Sequence, residues 1–111
     1  PSYVNVTAEQ WKEKGVEVVV CMAVNDAFVF SAWAGTFGET SVKFLADPGS
    51  EATKAMGLAF DAPPLLEALG NPRCKRFVMG LDDGKVVGLN ISGEDGKTDE
   101  HTFATAALEF F

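Results

Sequence analysis

Hydrophobic positions along the chain change spacing from one segment to the next, and those changes outline its elements. Thr7-Ala8-Glu9-Gln10 has the form of a capping box, in which the Thr7 hydroxyl and the Gln10 amide satisfy the first free amides of a helix. The spacing predicts a short amphipathic helix through Trp11 to Lys14, ended by Gly15 in the manner of a C′ glycine. Val16 to Val24 is nearly continuous valine, which predicts a strand buried on both faces, as at the centre of a parallel sheet. Asn25-Asp26 supplies the next N-cap, and Ala27 to Ala34 reads as a helix carrying Phe28, Phe30, Ser31 and Trp33, closed by Gly35 and Gly38. Val42 to Ala46 is a second short strand, stopped by Asp47-Pro48. Strand, helix and strand within about 30 residues make a right-handed βαβ unit.

Ser50 is expected to cap a helix over Glu51 to Met56. Gly57 to Asn71 reads as irregular, with Pro63-Pro64, a turn of helix at Leu65 to Leu69, and Gly70. Arg76 to Leu81 and Val86 to Ile91 flank Asp82-Asp83-Gly84-Lys85, a hairpin signal because Gly84 tolerates positive φ. Gly93 to Glu100 is a polar turn region. His101 to Phe111 reads as a closing helix with Phe103, Ala106, Ala107 and Phe110 on one face. No internal repeat interrupts this order, and residues 1–111 are expected to form a single domain.

Composition narrows the function classes. Of the 111 residues 47% are hydrophobic, with nine Phe and two Trp, so a core is affordable and intrinsic disorder is a poor reading. Sixteen acidic residues against nine basic ones give a net charge of −7, which repels phosphate backbones. No basic stripe offsets it, so no nucleic-acid partner is expected. The longest apolar run, Val16 to Val24, is too short to span a bilayer, and no signal peptide or lipidation motif appears. No membrane partner is therefore expected. Cys21 and Cys74 form no CxxC pair, and with the single His101 they are too few for a structural zinc site. No metal and no cofactor are expected. The default compartment is reducing and intracellular, cytoplasmic in the first instance, with a mitochondrion or other organelle left open. The chain opens on Pro1 rather than Met, so the native start is expected upstream.

Four stretches carry a family resemblance. They are Gly15 to Val29 (GVEVVVCMAVNDAFV), Val42 to Pro48 (VKFLADP), Gly70 to Phe77 (GNPRCKRF) and Asp82 to Asn90 (DDGKVVGLN). In order and spacing, over residues 1 to 92, they resemble the peroxiredoxins of the type II, atypical two-cysteine group of the redoxin superfamily. The first and third are the most specific. A βαβ unit followed by a ββα unit also matches a thioredoxin-like fold, a three-layer α/β/α architecture with a mixed sheet, lacking its N-terminal strand. The resemblance places the family's Pro-x-x-x-Thr-x-x-Cys loop just upstream of Pro1, with Pro1-Ser2-Tyr3-Val4 continuing the helix that begins at the peroxidatic cysteine. Neither Cys21 nor Cys74 has that motif around it.

By the same resemblance, Arg76, at the start of the Lys-Arg-Phe strand, is the arginine that points at the peroxidatic sulfur. A thiol attacks peroxide as its thiolate, and a permanent cation nearby stabilises that anion. A guanidinium also donates to both peroxide oxygens as charge moves along the O–O bond. Without the resemblance, Arg76 reads as a solvated strand-edge arginine. Arg73 and Lys75 read as surface charges. Cys21 lies in the buried-strand pattern and reads first as a small hydrophobe, second as a redox thiol. Cys74 sits in a loop beside Arg73, Lys75 and Arg76, three cations that should favour its thiolate. No cysteine falls between Thr98 and Phe103, where some members keep a resolving thiol, so a one-cysteine cycle is favoured. His101 reads as a helix-start residue. Phe28, Phe30, Trp33 and Phe37 read as core, although the resemblance also sets Phe28, Asp47 and Pro48 near a dimer surface.

The function implied is that of a thiol-dependent peroxidase acting on hydrogen peroxide and alkyl hydroperoxides, in antioxidant defence and redox homeostasis. An external thiol of the thioredoxin, glutaredoxin or glutathione type would reduce it, and it would work as a homodimer. These residues alone are expected to show no such turnover, because the nucleophile lies outside them. Two other classes compete. One is a non-catalytic thioredoxin-fold interaction or dimerisation module. The other is a flavodoxin-like signalling domain, which Asp26 and Asp47 fit loosely and the Asp82–Lys85 hairpin opposes.

Overall fold

The computed structural model describes residues 2–60 and 62–111. They form two compact units, Pro1–Val19 with Arg76–Phe111, and Val20–Lys75. Among the described residues the strands pair into three two-stranded sheets.

The first unit begins with α1, Ala8–Glu13, and the expected capping box is present. Gln10 N donates to Thr7 Oγ1 at 3.2 Å, and Thr7 N donates to Gln10 Oε1 at 2.8 Å. Gly15 follows with φ +79°, a conformation in which only glycine is unstrained. Trp11, 4% exposed, packs with Ala104 and Ala107, and Tyr3, Val6, Val16, Val19, Val78 and Leu108 surround them. Tyr3 stacks on Trp11 with centroids 6.1 Å apart.

The hairpin of this unit joins β5, Phe77–Asp82, to β6, Lys85–Ile91. Asp83 and Gly84 both take positive φ, +51° and +76°, as a two-residue turn matching the right-handed strand twist requires. A bulge falls between Gly80 and Leu81, and Gly80 pairs with Gly88. Their missing side chains make room for the closing segment. A Cβ on Gly80 would lie 3.0 Å from the Phe110 ring, and one on Gly88 would run into that ring.

The closing helix is shorter than its apolar pattern suggests. Asp99–Thr102 form a 3₁₀ turn, Phe103 is extended (φ −75°, ψ 165°), and α5 runs only over Ala104–Leu108. Its inward face is Ala104 and Ala107, while Phe103 turns outward at 38% exposure. The Thr98 N–H donates to His101 Nδ1 at 2.9 Å, which folds the first turn tightly and gives His101 its structural place.

The second unit takes in most of β1, Val19–Ala23, then α2, Ala27–Gly35, and β2, Val42–Ala46, which pairs with β1. Asp26 caps α2 as expected, its Oδ1 accepting from Val29 N at 2.7 Å. The valine run is not buried on both faces. The strand proper starts at Val19, and Val18 and Val20 stand 55% and 46% exposed, because β1 pairs with β2 alone among the described residues. Phe30, Trp33, Phe37 and Phe44 pack ring against ring, with neighbouring centroids 5.0–6.0 Å apart. Phe28 is not in that cluster. Helical spacing turns it away from the Phe30, Trp33 and Phe37 stripe, and it is 89% exposed.

The segment read as irregular holds order of its own. Ala59–Phe60 (β3) pairs antiparallel with Arg73–Cys74 (β4), and α4, Pro63–Leu69, lies between them. Cys74 is therefore a strand residue and not a loop residue. Ser50 precedes α3, Glu51–Ala55, in the left-handed region at φ +59° and makes no side-chain cap. Its hydroxyl donates to Pro72 O instead, at 3.1 Å. The Asp47 carboxylate caps α3, accepting from Thr53 N at 2.9 Å and Thr53 Oγ1 at 2.7 Å.

Strand propensity alone would favour valine over glycine at position 88. Here the closing segment reverses that sign. Gly88→Val should lower the stability of the protein by about 1–3 kcal/mol, through overpacking against Phe110. Urea unfolding followed by tryptophan fluorescence reads the difference.

Candidate functional site

Arg76 immediately precedes β5, and its carbonyl accepts from Ser92 N at 3.0 Å, so the hairpin ladder continues to it. The far end of that ladder is stapled to the 3₁₀ turn. Asn90 Nδ2 donates to His101 O at 2.9 Å, and Ser92 Oγ donates to Asp99 Oδ1 at 2.6 Å. These two bonds bring Thr102 up to the guanidinium. Arg76 Nε donates to Thr102 Oγ1 at 2.9 Å and lies 3.7 Å from Asp99 Oδ1. The guanidinium carbon sits 5.6 Å from the centre of the Phe103 ring, in cation–π range. Among the described residues Nε carries both polar contacts, and the terminal nitrogens have no hydrogen-bond partner.

The start of the chain reaches the same place. Tyr3 Oη donates to Thr102 O at 2.5 Å, and Ala104 N donates to Ser2 Oγ at 3.2 Å. Ser2 and Tyr3 thus border the turn that holds Arg76. Sequence reasoning singled out Arg76 and missed Thr102, Asp99, Phe103 and Tyr3 around it. Thr98 and His101, a threonine followed three residues later by a side chain that returns to its amide, were the available signal for a sharp turn there.

The other candidate residues lie in the second unit. Cys21 is half-buried in β1, and burial pushes its thiol pKa up. Cys74 is half-buried in β4 and its pKa is also raised. Burial is the main cause, with the Asp47 charge adding to it and a hydrogen bond with Thr53 opposing it. The expected lowering by neighbouring cations is not among the causes, and Arg73, a cation next to it in this unit, is engaged elsewhere. Arg73 Nη1 donates to Val24 O at 2.8 Å, and its Nε is buried without a partner among the described residues, so Arg73 is no surface charge. Both thiols are unpaired.

Asp47 is 9% exposed and its carboxyl lies below the ordinary range, chiefly through the Thr53 hydroxyl and then the Thr53 amide. Its oxygens are committed to α3. Phe28 and Pro48 are exposed and available to a partner. Among the described residues no group of three His, Cys, Asp or Glu is placed to hold a metal, and no helix is long and apolar enough to cross a membrane.

The Redoxin family model matches residues 1–107. Peroxiredoxin-2B of Arabidopsis thaliana is 44% identical over 85 residues, which cover 76% of this chain and 51% of that protein. Among solved structures, reduced Prx3 of Vibrio vulnificus in complex with hydrogen peroxide superposes with a TM-score of 0.83 at 33% identity, covering all of this chain and 68% of that one. Peroxiredoxin 5 of Alvinella pompejana gives 0.77 at 34% identity, covering 99% and 65%. These likenesses carry the thioredoxin-like α/β fold. The chain spans about half the length of the Arabidopsis relative.

Two outcomes follow from the second unit. With both thiol pKa values raised, Cys21 and Cys74 should alkylate with iodoacetamide at neutral pH more slowly than a small free thiol, read by mass spectrometry. Asp47 has a folded-state pKa below its ordinary 3.8, so its contribution to stability is complete above that value and is lost as pH falls through the lower one. Asp47→Asn should remove that part of the acid limb in a stability-against-pH series.

Proposed function

Since the chain belongs to the Redoxin family, in its type II peroxiredoxin branch, we propose that its parent protein is a thiol-dependent peroxidase in which Arg76 is the catalytic cation. The single observation that carries this reading is the setting of Arg76. Among the described residues its guanidinium is tethered through Nε, beside the turn that Ser2 and Tyr3 reach by hydrogen bonds. In the family's order of elements, the helix of the peroxidatic cysteine leads into that same opening segment.

The proposed step is a displacement at oxygen. The thiolate attacks one peroxide oxygen, an S–O bond forms as the O–O bond breaks, and the other oxygen leaves with a proton as water or alcohol. The cysteine becomes a sulfenic acid. One external thiol then condenses with it, releasing water, and a second thiol reduces the mixed disulfide. Arg76 would stabilise the thiolate and donate from its terminal nitrogens to the oxygens as negative charge moves onto the leaving one.

Cys21 and Cys74 are assigned no step, since raised pKa values make poor resolving thiols. The reductant is a small thiol or a thioredoxin-type protein. The assembly is a homodimer to which Phe28 and Pro48 contribute contacts and which Asp47 supports from beneath. The compartment is intracellular and reducing. A purely structural module is disfavoured by the relatives, whose names describe peroxiredoxins.

The complete gene product tests this. Arg76→Ala should lower kcat/KM for hydrogen peroxide by about 100- to 1,000-fold, the scale of removing one preorganised donor. It should also move the rising limb of the pH–rate profile to higher pH. Undiminished turnover in that variant would sink the role of Arg76.

A further inference from the structure

We propose that Thr102 is a positioning residue for Arg76, fixing the direction of the guanidinium without neutralising it; this rests on the catalytic reading of Arg76 above. Thr102 is 5% exposed, in a turn whose other members are far more open. Its hydroxyl has one proton and two lone pairs, and the structure accounts for the proton. It is donated to Asp99 O at 2.6 Å, which leaves the oxygen to accept from Arg76 Nε at 2.9 Å. The hydroxyl cannot rotate away without losing both bonds. The residue itself cannot shift easily either, since its carbonyl accepts from Tyr3 Oη at 2.5 Å.

Asp99 is the competing clamp, and it is the weaker one. Its oxygen is 3.7 Å from Nε, beyond hydrogen-bond range, and the two side chains are 55% and 62% exposed. Its Oδ1 is already taken by Ser92 Oγ. A carboxylate in direct contact would also cancel much of the charge that a thiolate needs. A neutral hydroxyl orients the guanidinium plane and adds no opposing charge of its own. Phe103 adds a ring face 5.6 Å from the guanidinium carbon. Fixing Nε determines where the two terminal nitrogens point, because the guanidinium is rigid and planar.

The test uses the full-length protein. Thr102→Val keeps the shape and removes the hydroxyl, whereas Thr102→Ser keeps the hydroxyl. Misdirecting the donor fork should lower kcat/KM for peroxide about ten- to a hundredfold in Thr102→Val, the scale of a small misplacement of a reacting group. The KM for the thiol reductant should stay put, the rising pH–rate limb should move to higher pH, and Thr102→Ser should recover most of the loss. Wild-type kinetics in Thr102→Val beside a defective Arg76→Ala would overturn the positioning role and leave the catalytic reading standing. Wild-type kinetics in both would remove the catalytic reading itself.

A second measurement needs no folded valine variant. In the unsubstituted protein, the Nε–H resonance that disappears in Arg76→Lys should exchange with solvent much more slowly than that of an open arginine. Exchange as fast as that of an open arginine would equally overturn the proposal.

Discussion

The first unit depends on one short turn being held against the end of a hairpin. Asn90 in β6 and Ser92 just past its end bind the backbone and side chain of the 3₁₀ turn, and Thr102 closes the circuit to Arg76 just ahead of β5. None of these bonds is individually strong; each intramolecular hydrogen bond is worth about 1 kcal/mol net. Their effect comes from sharing a single backbone segment. Moving Thr102 would disturb Arg76, Tyr3 and the entry to α5 together. The glycine pair Gly80 and Gly88 belongs to the same arrangement, because it lets Phe110 lie down on the hairpin and anchors the residues beyond the turn.

The second unit is organised around a carboxylate. Asp47 receives the amide and hydroxyl of Thr53, a residue with no exposed surface, and so replaces the cap that Ser50 leaves unfilled. Ser50, freed from that duty by its left-handed backbone, reaches across to Pro72 and ties down the approach to β4. Cys74 comes to rest beside this polar knot. Its thiol feels burial and a nearby negative charge, which explains why neighbours in sequence that are cations do not make it a thiolate. Charge adjacency along the chain is a poor guide when a side chain finds another partner, as Arg73 does at Val24 O.

Much of this fold was legible in the sequence wherever the signal was local. Thr7 with Gln10, Asp26 before α2, Val42–Ala46, and the Asp83-Gly84 turn are each specified within a few residues. The misses share a different cause. Ala59 pairs with Cys74 across an intervening helix, and two-residue strands carry no periodicity to detect. The cap of α3 comes from three positions ahead of the residue whose type suggested it. The apolar face drawn through Phe103 assumed that the helix began at His101, but the turn preceding Ala104 is 3₁₀ and shifts the phase. For the candidate site, Arg76 was visible through its family pattern, whereas Thr102 looked like any polar residue in a turn. Only its tertiary contacts distinguish it.

The charge of the molecule gives the arrangement around Arg76 its significance. A net charge of −7 deters anionic ligands but exerts little force on a neutral peroxide, so it does not oppose the proposed substrate. It does oppose forming a thiolate, since a general negative field favours the protonated sulfur. That field arises from dispersed surface charges and is screened over roughly 10 Å at 0.1 M salt. A cation within contact distance is screened far less. The favourable term therefore has to be local, and in the proposed mechanism it is Arg76, whose partner at bonding distance is a neutral hydroxyl. An arginine paired closely with a carboxylate would have lost most of this advantage. Asp99, 3.7 Å from Nε and more than half exposed, offsets part of that charge through a solvent-screened ion pair, while the Thr102 hydroxyl at 2.9 Å sets direction without adding to the offset.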